Sequence, residues 1–302
     1  MLFDSILKKI GNTPIFRFPY SSGIEDVEFY IKLEGENLTG SVKDRAAYSI
    51  IMDKINTGEL AEGKTILDAS SGSFACSLAF LGKMLGYPVT VVTGSKLTED
   101  KAVYIRFYGA KNIPYGNFTI EGNRYCQDVL LKENPNKYCF LDQLHNPNNA
   151  NMHERVTGPE IMQDLPGLSA VAFSLGSGGT LCGISRFLKK HYPQVKIIAV
   201  TAQHGTKIPG TGAFVDGDYI TPFIKEANEN NYYDYVAEIS EEDARKRTID
   251  LSHKYGFYVG IQTGGVLQGL IDGINKLKIA GKVLVISGDA GWENMEKLSS
   301  LI

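Results

Sequence analysis

The sequence predicts an α/β protein built on parallel sheets covered on both faces. Three observations carry this. Short β-branched runs alternate with helical apolar stripes along nearly the whole chain, the pattern of strand–helix–strand crossovers. Glycine is abundant, with 32 in 302 residues, as the tight turns of such folds require. The length favours two domains, or one large core with an insertion.

The elements follow in order. Val27–Leu33 reads as a strand and 41–57 as a helix. In that helix Ser41 and Asp44 suit a capping-box start, Ala47, Ile50, Ile51 and Ile55 form the apolar stripe, and Gly58 lies past the end. Thr65–Asp68 is a strand, followed by a Ser/Gly loop and a helix over 74–85 stopped by Gly86. Val89–Val92 is a strand and 100–107 a helix. A short strand at Cys139–Leu141 leads to an Asn/Pro-rich loop, the best interior boundary, and a helix over 150–164. A second series begins at Ala170. It has a strand at Val171–Ser174, the turn Gly176–Thr180, a helix to Lys190 and a strand at Val195–Val200. Residues 202–234 read as irregular, with a polar stretch at Asn228–Asp234. Helices over 240–255 and 265–276, a strand at Lys282–Ile286 and a final helix complete the chain.

Composition excludes several classes. The chain is 43% hydrophobic and 22% charged, an ordinary globular balance rather than a disordered one. A net charge of −3 gives no footprint for nucleic acid or an anionic membrane. No apolar run approaches the roughly 18 residues of a membrane span. The N-terminal stretch, with Asp4 inside it, does not read as a signal peptide, so a cytoplasmic protein is expected. Cys76, Cys126, Cys139 and Cys182 form no C-x-x-C pair and are expected to be buried, reduced thiols. The five histidines show no metal-ligand spacing, and no metal is expected.

Ligands of such folds bind where strands end and helices begin. Four segments qualify. In Lys32–Arg45 a strand ends, a Thr/Gly/Ser loop intervenes, and Lys43 falls in the first turn of a helix. The positive helix end disfavours an ammonium there and favours the neutral amine that Schiff-base chemistry needs; a solvated surface lysine is the plainer reading. Ser70-Ser71-Gly72-Ser73 presents hydroxyls and backbone N–H groups suited to a carboxylate, or simply to helix capping. Gly176-Ser177-Gly178-Gly179-Thr180 has three glycines in five residues, more than a turn needs, which favours a phosphate. It is neither a dinucleotide nor a nucleoside triphosphate loop. Ile286–Gly291 follows the last strand, where Ser287 or Asp289 can meet a ligand or form an Asx turn.

Their order and spacing give a resemblance. S-V-K-D-R around Lys43, the Ser/Gly loop, Gly176–Thr180 and S-G-D-A-G are joined by I-G-N-T-P at Ile10–Pro14, G-Y-P-V-T-V-V at Gly86–Val92 and Q-x-x-N-P-x-N at Gln143–Asn149. T-G-P-E-I at Thr157–Ile161, K-I-P-G-T-G-A at Lys207–Ala213 and G-I-x-x-G-G at Gly260–Gly265 extend it. Over nearly its whole length the chain resembles the cysteine synthase and cystathionine β-synthase family of pyridoxal phosphate enzymes, fold type II.

The resemblance implies two doubly wound βα domains with parallel sheets and a cofactor cleft between them. The smaller, mobile, substrate-binding domain would span 36–147, and the larger, phosphate-binding one 1–35 with 148–302. Lys43 would hold pyridoxal 5'-phosphate through a Schiff base and shuttle the α-proton. Gly176, Ser177, Gly178, Gly179 and Thr180 would bind its phosphate. Ser70, Ser71, Gly72 and Gln143 would take the substrate carboxylate, with Gly210 and Thr211 near the substrate side chain. Two departures stand out. The family loop T-S-G-N-T-G reads here Ser70-Ser71-Gly72-Ser73-Phe74-Ala75, so Ser73 replaces the asparagine at the cofactor ring hydroxyl and Phe74 replaces a hydroxyl. Asp289 would face the pyridine nitrogen, where a protonated ring strengthens the electron sink. The expected activity is β-replacement on a serine- or cysteine-type amino acid in a homodimer, with no nucleic-acid or membrane partner. The alternatives are a β-elimination lyase (cysteine desulfhydrase or serine dehydratase type) and a non-catalytic binding member.

Overall fold

The structure is a computed structural model and describes residues 4–20, 26–213 and 219–299. The first three residues of the N-terminal stretch, and 214–218 of the stretch read as irregular, lie outside them. Ten strands are described: β1 (Ile15–Phe18), β2 (Val27–Leu33), β3 (Thr65–Ser70), β4 (Val89–Thr93), β5 (Lys111–Pro114), β6 (Tyr138–Phe140), β7 (Leu168–Ser174), β8 (Lys196–Ala202), β9 (Tyr235–Ile239) and β10 (Gly281–Ser287). Five helices matter for function: α1 (Lys43–Asn56), α2 (Ser73–Leu85), α3 (Glu99–Phe107), α4 (Gly179–His191) and α5 (Ile261–Leu277). The chain forms two compact units. One combines the described residues up to Val42 with those from Ala150 to Asn294. The other runs from Lys43 to Asn149 and takes in those from Met295 onward.

The smaller unit has four parallel strands in the order β5-β4-β3-β6. Every residue of β3 and β4 is buried, as expected of strands covered on both faces. Crossovers run through α2, α3 and a helical stretch starting at Thr119–Tyr125 and continuing through a π turn at Cys126–Leu130. That stretch and β5 are absent from the sequence reading. β5 is an edge strand with no buried residue, so no apolar pattern marks it.

The larger unit has six strands in the order β1-β2-β10-β7-β8-β9. All pair in parallel except β1, which runs antiparallel to β2 with Ile15 opposite Lys32 and Phe18 opposite Phe29. The parallel sheets expected from the sequence are present, with one antiparallel strand, β1, added at an edge. The link between β1 and β2 is too short for a parallel crossover, which takes about a dozen residues or more. The stretch read as irregular also holds structure. Thr221 caps the helix Pro222–Glu229 by accepting from Ile224 N, with Pro222 at its first position. β9 follows and pairs with β8. The apolar core joins β7, β8 and β10 (Val171, Phe173, Ile197, Leu284, Ile286) to Leu181, Ile184 and Leu188 of α4. All four cysteines are buried and unbridged, and burial pushes the Cys182 thiol up to about 12.

A buried charged cluster fastens the larger unit. Lys32 and Glu34, at the end of β2, are both fully buried. The Lys32 ammonium donates to Thr13 O at 2.9 Å and lies 3.4 Å from Glu160 and 4.0 Å from Glu34. Thr13 Oγ1 donates to Glu34 Oε1 at 2.7 Å, and Asn37 donates to Glu34 Oε2 at 2.9 Å. Removing one member of such a cluster leaves the opposite charge buried without its counter-ion. Lys32→Met should therefore cost about 3–5 kcal/mol of stability. Urea unfolding of variant and parent checks it, and an unchanged midpoint would refute the assignment.

Candidate active site

In the larger unit, β7 ends at Ser174 and α4 begins at Gly179. Between them Gly178 adopts the left-handed conformation at φ +85° and caps the helix without a side-chain hydrogen bond. No acidic residue sits in the first turn of α4, while Lys189, Lys190 and His191 occupy the last. The helix start is therefore a positive, side-chain-poor end suited to an anion. A Cβ on Gly176 would fall 2.5 Å from Gly210 O, and one on Gly178 2.6 Å from Ile224 Cγ1. Neighbouring segments hold the loop. Thr221 Oγ1 donates to Ser177 O at 2.6 Å, Gly212 N to Leu175 O at 2.8 Å and Ser174 Oγ to Gly210 O at 3.3 Å. The Gly210–Gly212 backbone thus lies beside the glycine loop, and the Thr211 hydroxyl there is buried without a hydrogen-bond partner. Thr180 Oγ1 lies 3.2 Å from His153 Nε2, whose Nδ1 is 2.9 Å from Thr157 Oγ1. His153, fully enclosed on a π turn, was not singled out from the sequence; its proximity to T-G-P-E-I is the only local signal.

The last loop belongs to the same unit. Asp289 Oδ1 accepts from Thr263 Oγ1 at 2.7 Å and Thr263 N at 3.2 Å. Its Oδ2 accepts from Asn294 Nδ2 at 3.1 Å and Gln262 N at 3.3 Å. Asp289 thus caps the start of α5, and Thr263 Oγ1 also meets Ser287 Oγ at 2.9 Å. The Gln262 side chain reaches the open faces of both Gly210 and Gly288, next to the segment beside the glycine loop. Gln262 stood inside the quoted G-I-x-x-G-G motif without an assigned role.

In the smaller unit, Ser70 is at the end of β3. Its Oγ accepts from Gly72 N at 3.0 Å and Ala75 N at 3.1 Å, so it caps the start of α2. Gln143 is held at the same strand end, donating its backbone N–H to Asp68 Oδ2 at 3.0 Å and its side-chain amide to Ala69 O at 2.7 Å. Burial pushes the Asp68 carboxyl well above the usual carboxylate range. Ser71 is exposed and Ser73 half-buried, accepting from Lys101 Nζ at 3.1 Å. Phe74 points inward, with 2% of its surface exposed, so its bulk goes to the core. Lys43 is half-buried at the first position of α1, and the next residue, Asp44, accepts from Ser77 Oγ at 2.6 Å.

Two parallel βα units with functional groups at helix starts define an α/β enzyme. One helix start has neither a side-chain cap nor an acidic residue in its first turn, another begins on a lysine, and a third follows a serine loop. The family described as pyridoxal-phosphate dependent enzyme matches residues 6–288, and the chain belongs to it. It is 30% identical over 270 residues to cysteine synthase B of Escherichia coli K12, covering 89% of this chain and 87% of that protein. Its fold is similar to cysteine synthase from Entamoeba histolytica, with a TM-score of 0.89, 25% identity and coverage of 100% of this chain and 92% of that one. It is also similar to a hydrogen sulfide-producing enzyme from Fusobacterium nucleatum, with a TM-score of 0.87, 27% identity, and 97% and 99% coverage. The chain is a pyridoxal phosphate-dependent enzyme. The residues fit that cofactor: the start of α4 has no side-chain cap and no acidic residue in its first turn, and the Ser177 and Thr180 hydroxyls lie at the same glycine-rich turn.

Two outcomes follow from this geometry. Gly178→Asp drives a Cβ to within 2.6 Å of Ile224 Cγ1 at a left-handed backbone position, so it should distort the loop expected to take the phosphate. Cofactor content after dialysis should fall sharply, and full retention would count against the loop as the phosphate site. Phe74→Ala should cost about 3–5 kcal/mol, as large core truncations do. A melting temperature equal to the parent's would show that Phe74 lies outside the core.

Proposed function

We propose that the chain catalyses β-replacement on a serine- or cysteine-type amino acid, in the manner of the cysteine synthases it resembles. The observation that carries this is Lys43 at the first position of α1, in a chain that also has a glycine-rich helix start without a side-chain cap at Gly178. When bound, pyridoxal phosphate supplies the electron sink for bonds broken at Cα. Lys43 is the covalent anchor and the base that takes the proton from Cα and returns it. Gly176–Thr180 hold the phosphate, and His153 orients the Thr180 hydroxyl. Ser71, Gly72 and Gln143 meet the substrate carboxylate, with Ser70 shaping the loop by capping α2. Gly210 and Thr211 border the substrate side chain. Asp289 acts by ordering the start of α5 and so the position of Gln262. Ser73 stands at the cofactor ring. The leaving group departs from Cβ and a nucleophile such as sulfide takes its place. The smaller unit carries the substrate-carboxylate groups and the larger one the phosphate groups, in a homodimer of the cytoplasm.

Elimination is the second reading, favoured by the similarity to the hydrogen sulfide-producing enzyme. Incubation with an O-acylated serine and sulfide separates the two: a β-substituted amino acid marks replacement, a keto acid with ammonia marks elimination. Lys43→Ala should abolish turnover and the visible band of the lysine-bound cofactor while leaving circular dichroism intact. A variant that kept both band and rate would move the anchor to another lysine.

A further inference from the structure

Thr211 carries a hydroxyl that the fold leaves unsatisfied. Its Oγ1 is buried and has no hydrogen-bond partner among the described residues. A buried polar atom of this kind costs the folded state its desolvation, so its presence calls for a reason. Looseness of the backbone does not supply one. Thr211 N donates to Ile208 O at 3.1 Å, Gly212 N to Leu175 O at 2.8 Å and Ala202 N to Gly212 O at 2.9 Å. The chain on both sides of the hydroxyl is thus pinned beside the ends of β7 and β8.

A second polar side chain stands open next to this segment. The Gln262 carboxamide makes no hydrogen bond among the described residues. It lies between two glycines: a Cβ on Gly210 would run into its Nε2, and one on Gly288 into its Oε1. Gly288 follows β10, so the ends of three neighbouring parallel strands, β10, β7 and β8, meet here within the larger unit. Ligands of open parallel sheets bind outside these carboxyl ends. An orphaned hydroxyl and an open carboxamide at that edge suit a hydrogen-bonding group better than an apolar one.

We infer that Thr211 is a specificity-determining residue whose hydroxyl donates a hydrogen bond to the substituent that the substrate carries at Cβ, beside Gln262. A serine esterified at its hydroxyl, with a carbonyl to accept that bond, is then preferred over a substrate whose leaving group offers no acceptor. The inference rests on the proposed β-replacement reading. Thr211 binds and moves no proton in the reaction.

The test compares O-acetyl-L-serine with β-chloro-L-alanine, which carry an ester and a chloride on the same carbon, as substrates of the purified holoenzyme. Thr211→Val removes the hydroxyl at nearly equal volume. The ratio of kcat/KM for the ester over the chloride should fall about three- to tenfold, the worth of one neutral hydrogen bond. Thr211→Ser keeps the hydroxyl and should restore most of that ratio. Melting temperature is the independent readout. The valine variant should be at least as stable as the parent, because it deletes a buried group that has no partner. A lower melting temperature with an unchanged ratio gives the hydroxyl to the fold and overturns the inference. Equal losses on both substrates overturn it as well. Poorer cofactor retention after dialysis with an unchanged ratio gives the hydroxyl to the cofactor, and again overturns it. Thr211→Ala replaces the valine variant if that one fails to fold. A parent enzyme that converts neither substrate defeats the proposed reaction, and this inference with it. A parent active on both, whose ratio the valine variant leaves intact, defeats the inference alone.

Discussion

The larger unit hangs on the buried Lys32 ammonium. An ion at full burial is tolerable only with close partners, and three sequence motifs supply them. I-G-N-T-P brings the Thr13 carbonyl and hydroxyl, the end of β2 brings Glu34, and T-G-P-E-I brings Glu160. Asn37 closes the cluster from the loop beyond, and its Oδ1 takes the Gly11 N–H at 2.8 Å. The chain leaving this cluster is pinned again where Ser41 bridges Asp289 and Val42 N donates to Gly288 O. The next residue is Lys43. Much of what resembles a ligand motif between Lys32 and Asn37 is thus the anchorage that precedes Lys43.

Each functional segment sits at the start of a helix, and the way the open N–H groups are satisfied separates their roles. Ser70 caps α2 and Asp289 caps α5, each with side-chain oxygen that accepts from the backbone. A carboxylate committed to Thr263, Gln262 and Asn294 orders its helix first. The N-cap of α4, Gly178, makes no side-chain cap hydrogen bond, and no acidic residue sits in its first turn.

Legibility followed burial. The strands read correctly from sequence are central ones such as β3, β4, β7 and β8, whose apolar runs reflect two covered faces. Those missed, β1, β5 and β9, are all sheet edges, where one side is unpaired and no continuous apolar run is required. The polar stretch at Asn228–Asp234 concealed a turn between a helix and such an edge. Helices with a regular stripe and a terminal glycine, such as α2, were plain; the stretch from Thr119 was hidden by Gly122 and its π turn.

The sequence by itself determined the family, the alternation of strand and helix, the lysine and the glycine loop. These depend on local backbone chemistry: a residue at a helix start, or a run with three glycines in five residues. Tertiary structure alone decided the rest. It turned Phe74 inward, committed the Asp289 carboxylate to α5, set His153 behind Thr180 and laid Lys101 across Gly72. Each of these depends on elements separated along the chain meeting in space, where burial forces a polar atom to find its partner, and no local pattern encodes which partner that is.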